Sequence, residues 1–62
     1  MNPLQFLTEL RMKKACALLL ETDWNLELIA RRCGYENGYY LSRVFTKQLG
    51  INPSFYRKQN RL

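Results

Sequence analysis

The sequence contains no histidine and only two cysteines, Cys16 and Cys33. Without histidine, the side chain that most often serves as a general base near neutral pH is missing. Two thiols are too few soft ligands for a four-coordinate structural zinc site. The chain is therefore expected to hold neither metal nor cofactor and not to be an enzyme. One pair of cysteines is a thin disulfide framework, and no basic segment followed by an apolar run opens the chain, so reduced thiols and a cytoplasmic setting are expected. Long apolar runs are missing as well: charges interrupt the chain well short of the ~18 residues a membrane span needs, so no membrane partner is expected. The 62 residues allow one small domain, of a size that buries only about 60% of its unfolded surface and offers little room for an enzyme-sized cleft.

Negative charge is scarce beyond residue 30. Residues 1–30 hold four acids against three bases, a net of −1, whereas residues 31–62 hold seven Lys and Arg against Glu36 alone, a net of +6. A cationic half-domain is a footprint for a polyanion, although an acidic membrane surface or plain solubility would also account for it.

What is present is helical periodicity, with no alternating strand pattern to compete with it, and the fold class is all-α with four helices. Asn2 as N-cap and Pro3 at the first helical position open a long helix over 3–21. Asn25 caps a short helix, Leu26 to Cys33, which Gly34 ends in a left-handed conformation. Asn37 or Glu36 begins a third helix running from Gly38 to about Leu49, where Gly50 stops it. Asn52 and Pro53 open a last helix over 53–59. Residues 26–49 have the length and glycine placement of a helix-turn-helix, with 38–47 as its recognition helix.

At 100° per residue the third helix divides into two sides. Tyr40, Leu41, Val44, Phe45 and Leu49 share the expected core side. Gly38, Tyr39, Ser42, Arg43, Thr46 and Lys47 share the other, and their hydroxyl, phenol, guanidinium and ammonium groups are the types that read base edges and phosphates. In the second helix Leu26, Ile29 and Cys33 face inward, Ala30 permits a close crossing, and Arg31 and Arg32 point outward as candidates for phosphate contacts. Cys33 is expected to be a small buried hydrophobe.

The first helix carries two apolar stripes. Leu4, Leu7, Met12, Ala15, Leu18 and Leu19 form the one expected to face the second and third helices. Phe6, Leu10, Ala17 and Leu20 form another that wants a second lobe, or a second copy of the chain, against Phe6, Leu10 and Leu20. Arg11 falls inside the first stripe and needs a partner. Glu27, Asp23 or an acid of that second lobe is expected to supply one. Trp24 is expected to act as a hydrophobic staple ahead of the Asn25 cap rather than as a base-stacking group. Of Tyr35, Tyr39 and Tyr40, the first should plug the core and the third should pack, leaving only Tyr39 free.

The run Ile29-Ala30, Gly34-Tyr35, Tyr40-Leu41-Ser42-Arg43-Val44-Phe45, Gly50, Pro53 and Tyr56-Arg57 resembles the signature of the AraC/XylS family of bacterial regulators. Phe6-Leu7, Arg11-Met12, Ala15 and Leu18-Leu19 resemble that family's linker helix. Tyr35 and Leu41 stand where phenylalanine is usual, and Tyr39 where a small polar residue is common. The resemblance implies a homeodomain-like helix-turn-helix lobe packed on a long linker helix, a partial DNA-binding domain over 1–62 whose first lobe is absent. It implies double-stranded DNA as partner, base contacts from Gly38, Tyr39, Ser42 and Arg43, and phosphate contacts from Thr46 and Lys47, joined by Arg31, Arg32 and the backbone amides that open the third helix. The rival reading is a protein-interaction module whose basic helical surface docks an acidic partner such as RNA polymerase or a sensor domain.

Overall fold

The computed structural model describes residues 1–61, and these contain four helices: α1 (Pro3–Glu21), α2 (Leu26–Arg32), α3 (Gly38–Leu49) and α4 (Pro53–Asn60). Asparagine opens every one of them. The side-chain oxygens of Asn2, Asn25, Asn37 and Asn52 accept the backbone N–H of Gln5, Leu28, Tyr40 and Phe55 at 2.8, 2.9, 3.0 and 2.7 Å. Each satisfies a donor that has no partner within its helix, which contributes about 1 kcal/mol. The Gln5 side chain returns a bond to the Asn2 N–H and completes a capping box. Helix α2 ends at Arg32, one residue earlier than expected, with Cys33 as its cap.

The core comprises Met12, Ala15 and Leu19 of α1, Ile29 and Ala30 of α2, Cys33, and Leu41 and Phe45 of α3. Tyr56 of α4 meets Phe45 edge to face, with ring centroids 5.5 Å apart, the arrangement aromatic quadrupoles favour. Burial raises the pKa of the Cys33 thiol, with Lys14 and Arg11 opposing it, so the group stays a neutral hydrophobe near pH 7. Its folded form resists ionisation, and the associated stability is lost as pH rises through the alkaline thiol range. Contact with Cys16, and then burial, raise the pKa of the Tyr56 phenol.

Arg57 ties α4 to α1. Its Nε donates to the Leu19 carbonyl at 2.8 Å and an Nη to the Thr22 carbonyl at 3.1 Å, while Arg61 pairs with Asp23 at 2.8 Å. The last turn of α1 has no basic residue of its own, so Arg57 places a cation where the helix dipole and unpaired carbonyls call for one.

Four expectations need correction. The main neighbours of α1 are α2 and α4 rather than α2 and α3. The first two turns project past the body of the domain, leaving Leu4 and Leu7 72% and 41% exposed. Arg11 has no acidic partner among the described residues; Asp23 pairs with Arg61, and Glu27 accepts from the Gly38 N–H. It lies instead over the Tyr35 ring, 5.1 Å from the centroid, where the aromatic face accommodates a half-buried cation. On α3, Leu41 and Phe45 are buried, but Tyr40 and Leu49 lie at the edges of the core side and are exposed.

Gly34 and Gly50 both have positive φ, at 92° and 82°, and they separate two effects. A Cβ at Gly50 meets open space, whereas one at Gly34 sits 3.0–3.1 Å from the Arg11 guanidinium. Gly50→Ala should lose about 1–2 kcal/mol from backbone strain alone. Gly34→Ala should lose that plus roughly 0.5–1 kcal/mol from displacing Arg11 off Tyr35. Thermal unfolding of both variants, each repeated with Arg11→Ala, checks this: the excess at Gly34 should vanish when Arg11 is gone.

Candidate nucleic-acid interface

The segment from α2 to α3 turns through a Schellman corner. The Tyr35 N–H donates to the Ala30 carbonyl at 2.9 Å and the Gly34 N–H to that of Arg31 at 3.2 Å, a pattern that requires the positive φ of Gly34. Tyr35 packs partly buried against the core, as does Trp24 ahead of the Asn25 cap. Three residues beyond Tyr35, the start of α3 is pinned. The Gly38 N–H donates to Glu27 Oε1 at 2.9 Å, and a Cβ at Gly38 would lie 3.2 Å from that oxygen and 3.3 Å from Leu26 Cγ. A carboxylate at this end also complements the dipole of α3.

With Leu41 and Phe45 fully buried, the 3.6-residue period turns Tyr39, Arg43, Thr46 and Lys47 to solvent. Together with half-buried Ser42 they line one shallow depression of about 430 Å³. Tyr39 and Arg43 touch: an Arg43 Nη donates to the Tyr39 hydroxyl at 3.4 Å, and the guanidinium lies 5.8 Å from the ring centroid. Arg31 is exposed. Arg32 is exposed but leans over the Trp24 indole, 5.0 Å from the ring centroid, which draws it toward the α1–α2 turn.

Gly38 does not join the exposed group. It is buried, and its N–H is occupied by Glu27. The amides opening α3 are correspondingly less available than expected, since Asn37 also takes the Tyr40 N–H. Two residues were missed by sequence reasoning. Tyr40, assigned to the core, is 51% exposed and meets Tyr39 edge to face at 5.8 Å; its place at the margin of the apolar arc was the available signal. Glu27, considered only as a partner for Arg11, anchors the start of α3; a bond across eleven residues leaves no periodic trace.

The geometry has clear counterparts among known proteins. A family model described as a helix-turn-helix domain matches residues 1–59. The chain belongs to the AraC-type helix-turn-helix family. It is 37% identical over 60 residues to the MmsAB operon regulatory protein of Pseudomonas aeruginosa, a match covering 97% of this chain and 20% of that protein. It is 40% identical over 55 residues to the transcriptional activator RhaR of Cronobacter sakazakii, covering 89% and 19%. The chain thus spans about a fifth of the length of these relatives. Among solved structures, it superposes on the C-terminal domain of AraT, a response regulator from Geobacillus stearothermophilus, with a TM-score of 0.96 at 37% identity, covering 100% of this chain and 51% of that one. It superposes on the DNA-binding domain of the global transcriptional factor AdpA, solved in complex with a target DNA, with a TM-score of 0.89 at 36% identity, covering 95% and 53%.

In this AraC-type chain the Glu27 anchor is open to a direct test. Glu27→Ala strands the buried Gly38 N–H and should cost about 1–3 kcal/mol, while Glu27→Gln keeps an acceptor and should cost less. Amide hydrogen exchange at Gly38 should accelerate more in Glu27→Ala than global unfolding explains. Equal exchange in wild type and variant would show that the bond does not hold the helix start.

Proposed function

We propose that this chain is half of a sequence-specific DNA reader that regulates transcription in the bacterial cytoplasm, with residues 38–47 lying in the major groove. The observation that carries the reading is the outer face of α3, where Tyr39, Ser42, Arg43, Thr46 and Lys47 line one surface while the opposite side is sealed by Leu41 and Phe45. Arg43 takes a guanine edge through two donors, with Ser42 beside it at the bases and Tyr39 against the guanidinium. Thr46 and Lys47 reach phosphates. Arg31, clear of the indole that holds Arg32, is the stronger positioning contact of the two arginines.

The second half of the reader covers the projecting end of α1. Phe6, Leu7 and Leu10 are 56%, 41% and 48% exposed along one side, and the chain spans about half of the solved domains it matches. Leu20 is already half-buried within this chain, so the surface to be covered centres on Phe6 and Leu10. An upstream helical lobe is the occupant that fits, with α1 as the linker between lobes. In its absence the stripe should pair with itself. Sedimentation should then show concentration-dependent association of the wild-type chain, lost in Leu10→Lys with the fold intact. Association unaffected by Leu10→Lys would remove the stripe from consideration.

Readout and positioning separate in a second experiment. Arg43→Ala should cost ~1–3 kcal/mol at one base position and relax preference there, whereas Lys47→Ala should weaken binding to all sequences and lower the salt slope by about one. Fluorescence anisotropy against duplexes substituted base by base, at several salt concentrations, measures both. Equal losses on every sequence for the two variants would mean that Arg43 does not read bases.

A further inference from the structure

If α3 is the recognition helix, the tyrosine that stands one turn ahead of its arginine calls for an explanation. Resting on that reading of α3, we propose that Tyr39 is a positioning residue that fixes the presentation of Arg43, so that the guanidinium is held ready to read one base.

Three contacts converge on Tyr39. Its hydroxyl accepts from an Arg43 Nη at 3.4 Å, its ring lies 5.8 Å from the guanidinium carbon, and Tyr40 meets it edge to face with centroids 5.8 Å apart. Residues four apart on a helix are neighbours on its surface, so one turn of α3 carries both members of the pair. Tyr39 and Tyr40 are 64% and 51% exposed. No core contact therefore accounts for the arrangement, and the array stands on the surface that faces DNA. An unrestrained arginine loses up to about 2 kcal/mol of rotamer entropy when it is fixed against a base. A side chain already leaning on a ring loses less, which is how preorganisation raises affinity without adding a contact.

The pairing also sets the chemistry presented. The Nε–Nη edge opposite the bonded Nη has no intramolecular hydrogen bond among the described residues, so a two-pronged donor remains for a base. The Tyr39 hydroxyl directs a lone pair to Arg43 and steadies the guanidinium plane. That guanidinium edge offers two donors, and the major-groove edge that supplies two adjacent acceptors is that of guanine, through N7 and O6. The guanidinium selects guanine at the Arg43 position and disfavours cytosine and adenine, whose amino groups would meet donor against donor.

The test is a double-mutant cycle of Tyr39→Phe and Arg43→Ala, read as position-resolved affinity on duplexes selected from a randomised pool and then substituted one base pair at a time. Thermal unfolding of each variant serves as a control, since both side chains are exposed. Tyr39→Phe should lower the preference for guanine at the Arg43 position by roughly three- to tenfold, the contribution of an ordinary hydrogen bond, since this one is exposed and 3.4 Å long. Affinity for unrelated duplex should fall less than the preference for guanine does. Tyr39→Leu, which loses the ring as well, should lower the preference further. In the Arg43→Ala background, Tyr39→Phe should change nothing at that position, because Tyr39 acts through Arg43. An additive loss there would overturn the proposal and make Tyr39 a direct contact. Loss of Arg43 without any base-specific effect would instead overturn the readout assignment of α3, and the proposal with it.

Discussion

At Gly34 the chain adopts a φ of 92°, and the carbonyls that end α2 are closed by the N–H groups of Gly34 and Tyr35. The direction of α3 follows from this corner. Ala30, fully buried, allows the crossing to be close. Tyr35 folds back onto the body of the domain and gives its ring to Arg11, so the corner is braced from α1 as well. Glu27 then fixes the first residue of α3. Once Gly38 is seated and Leu41 and Phe45 are buried, the helical period leaves Tyr39, Arg43, Thr46 and Lys47 only one direction in which to point. The candidate interface is a consequence of the corner, with no separate device required to expose it.

A chain this small has little core from which to draw stability, and both its cysteines are free. What takes the place of a staple is satisfaction of helix ends. Four asparagines cap four N-termini, Gly34 and Gly50 close two C-termini, and Arg57 closes that of α1 from a residue 38 positions away. The last of these serves twice, since the same guanidinium that satisfies Leu19 and Thr22 docks α4. Phe45 and Tyr56 complete the joint, so α3 is held from α2 at its start and from α4 along its buried side.

The local devices are legible in the sequence because their chemistry is local: an asparagine before an apolar repeat, a proline after it and a glycine beyond it each act within four residues. The all-α class and the helix-turn-helix follow from these signals together with the 3.6-residue period. Less legible is anything decided by a distant partner. Arg11 does fall in an apolar stripe, but its neighbour is a ring brought back by the Gly34 corner and not an acid. Leu4 and Leu7 share a stripe with Met12 and Ala15, yet periodicity carries no information on where the body of the domain ends. Tyr40 sits at the margin of the core arc, and there it meets the Tyr39 ring edge to face and stays half exposed. Arg57 is visible as a motif position, and its hold on two carbonyls of α1 depends on a docking that no window of sequence contains.

The charge distribution shows the same divide. Seven bases follow residue 30, but they are not equivalent in the fold. Arg57 is committed to the Leu19 and Thr22 carbonyls, Arg61 to Asp23, and Arg32 leans on Trp24. Arg31, Lys47 and Lys58 are exposed without a salt bridge among the described residues, and Arg43 is held only by the neighbouring Tyr39. A net charge counts all seven alike, whereas a phosphate meets only those whose heads are free to reach it. Short-range contacts to a polyanion are therefore open to fewer bases than the sequence total suggests: Arg31 near the corner, Arg43 and Lys47 on α3, and Lys58 on α4. Arginines bound to an acid or a carbonyl hold the fold together, and the bases left over by that construction are the ones whose heads remain free for a partner.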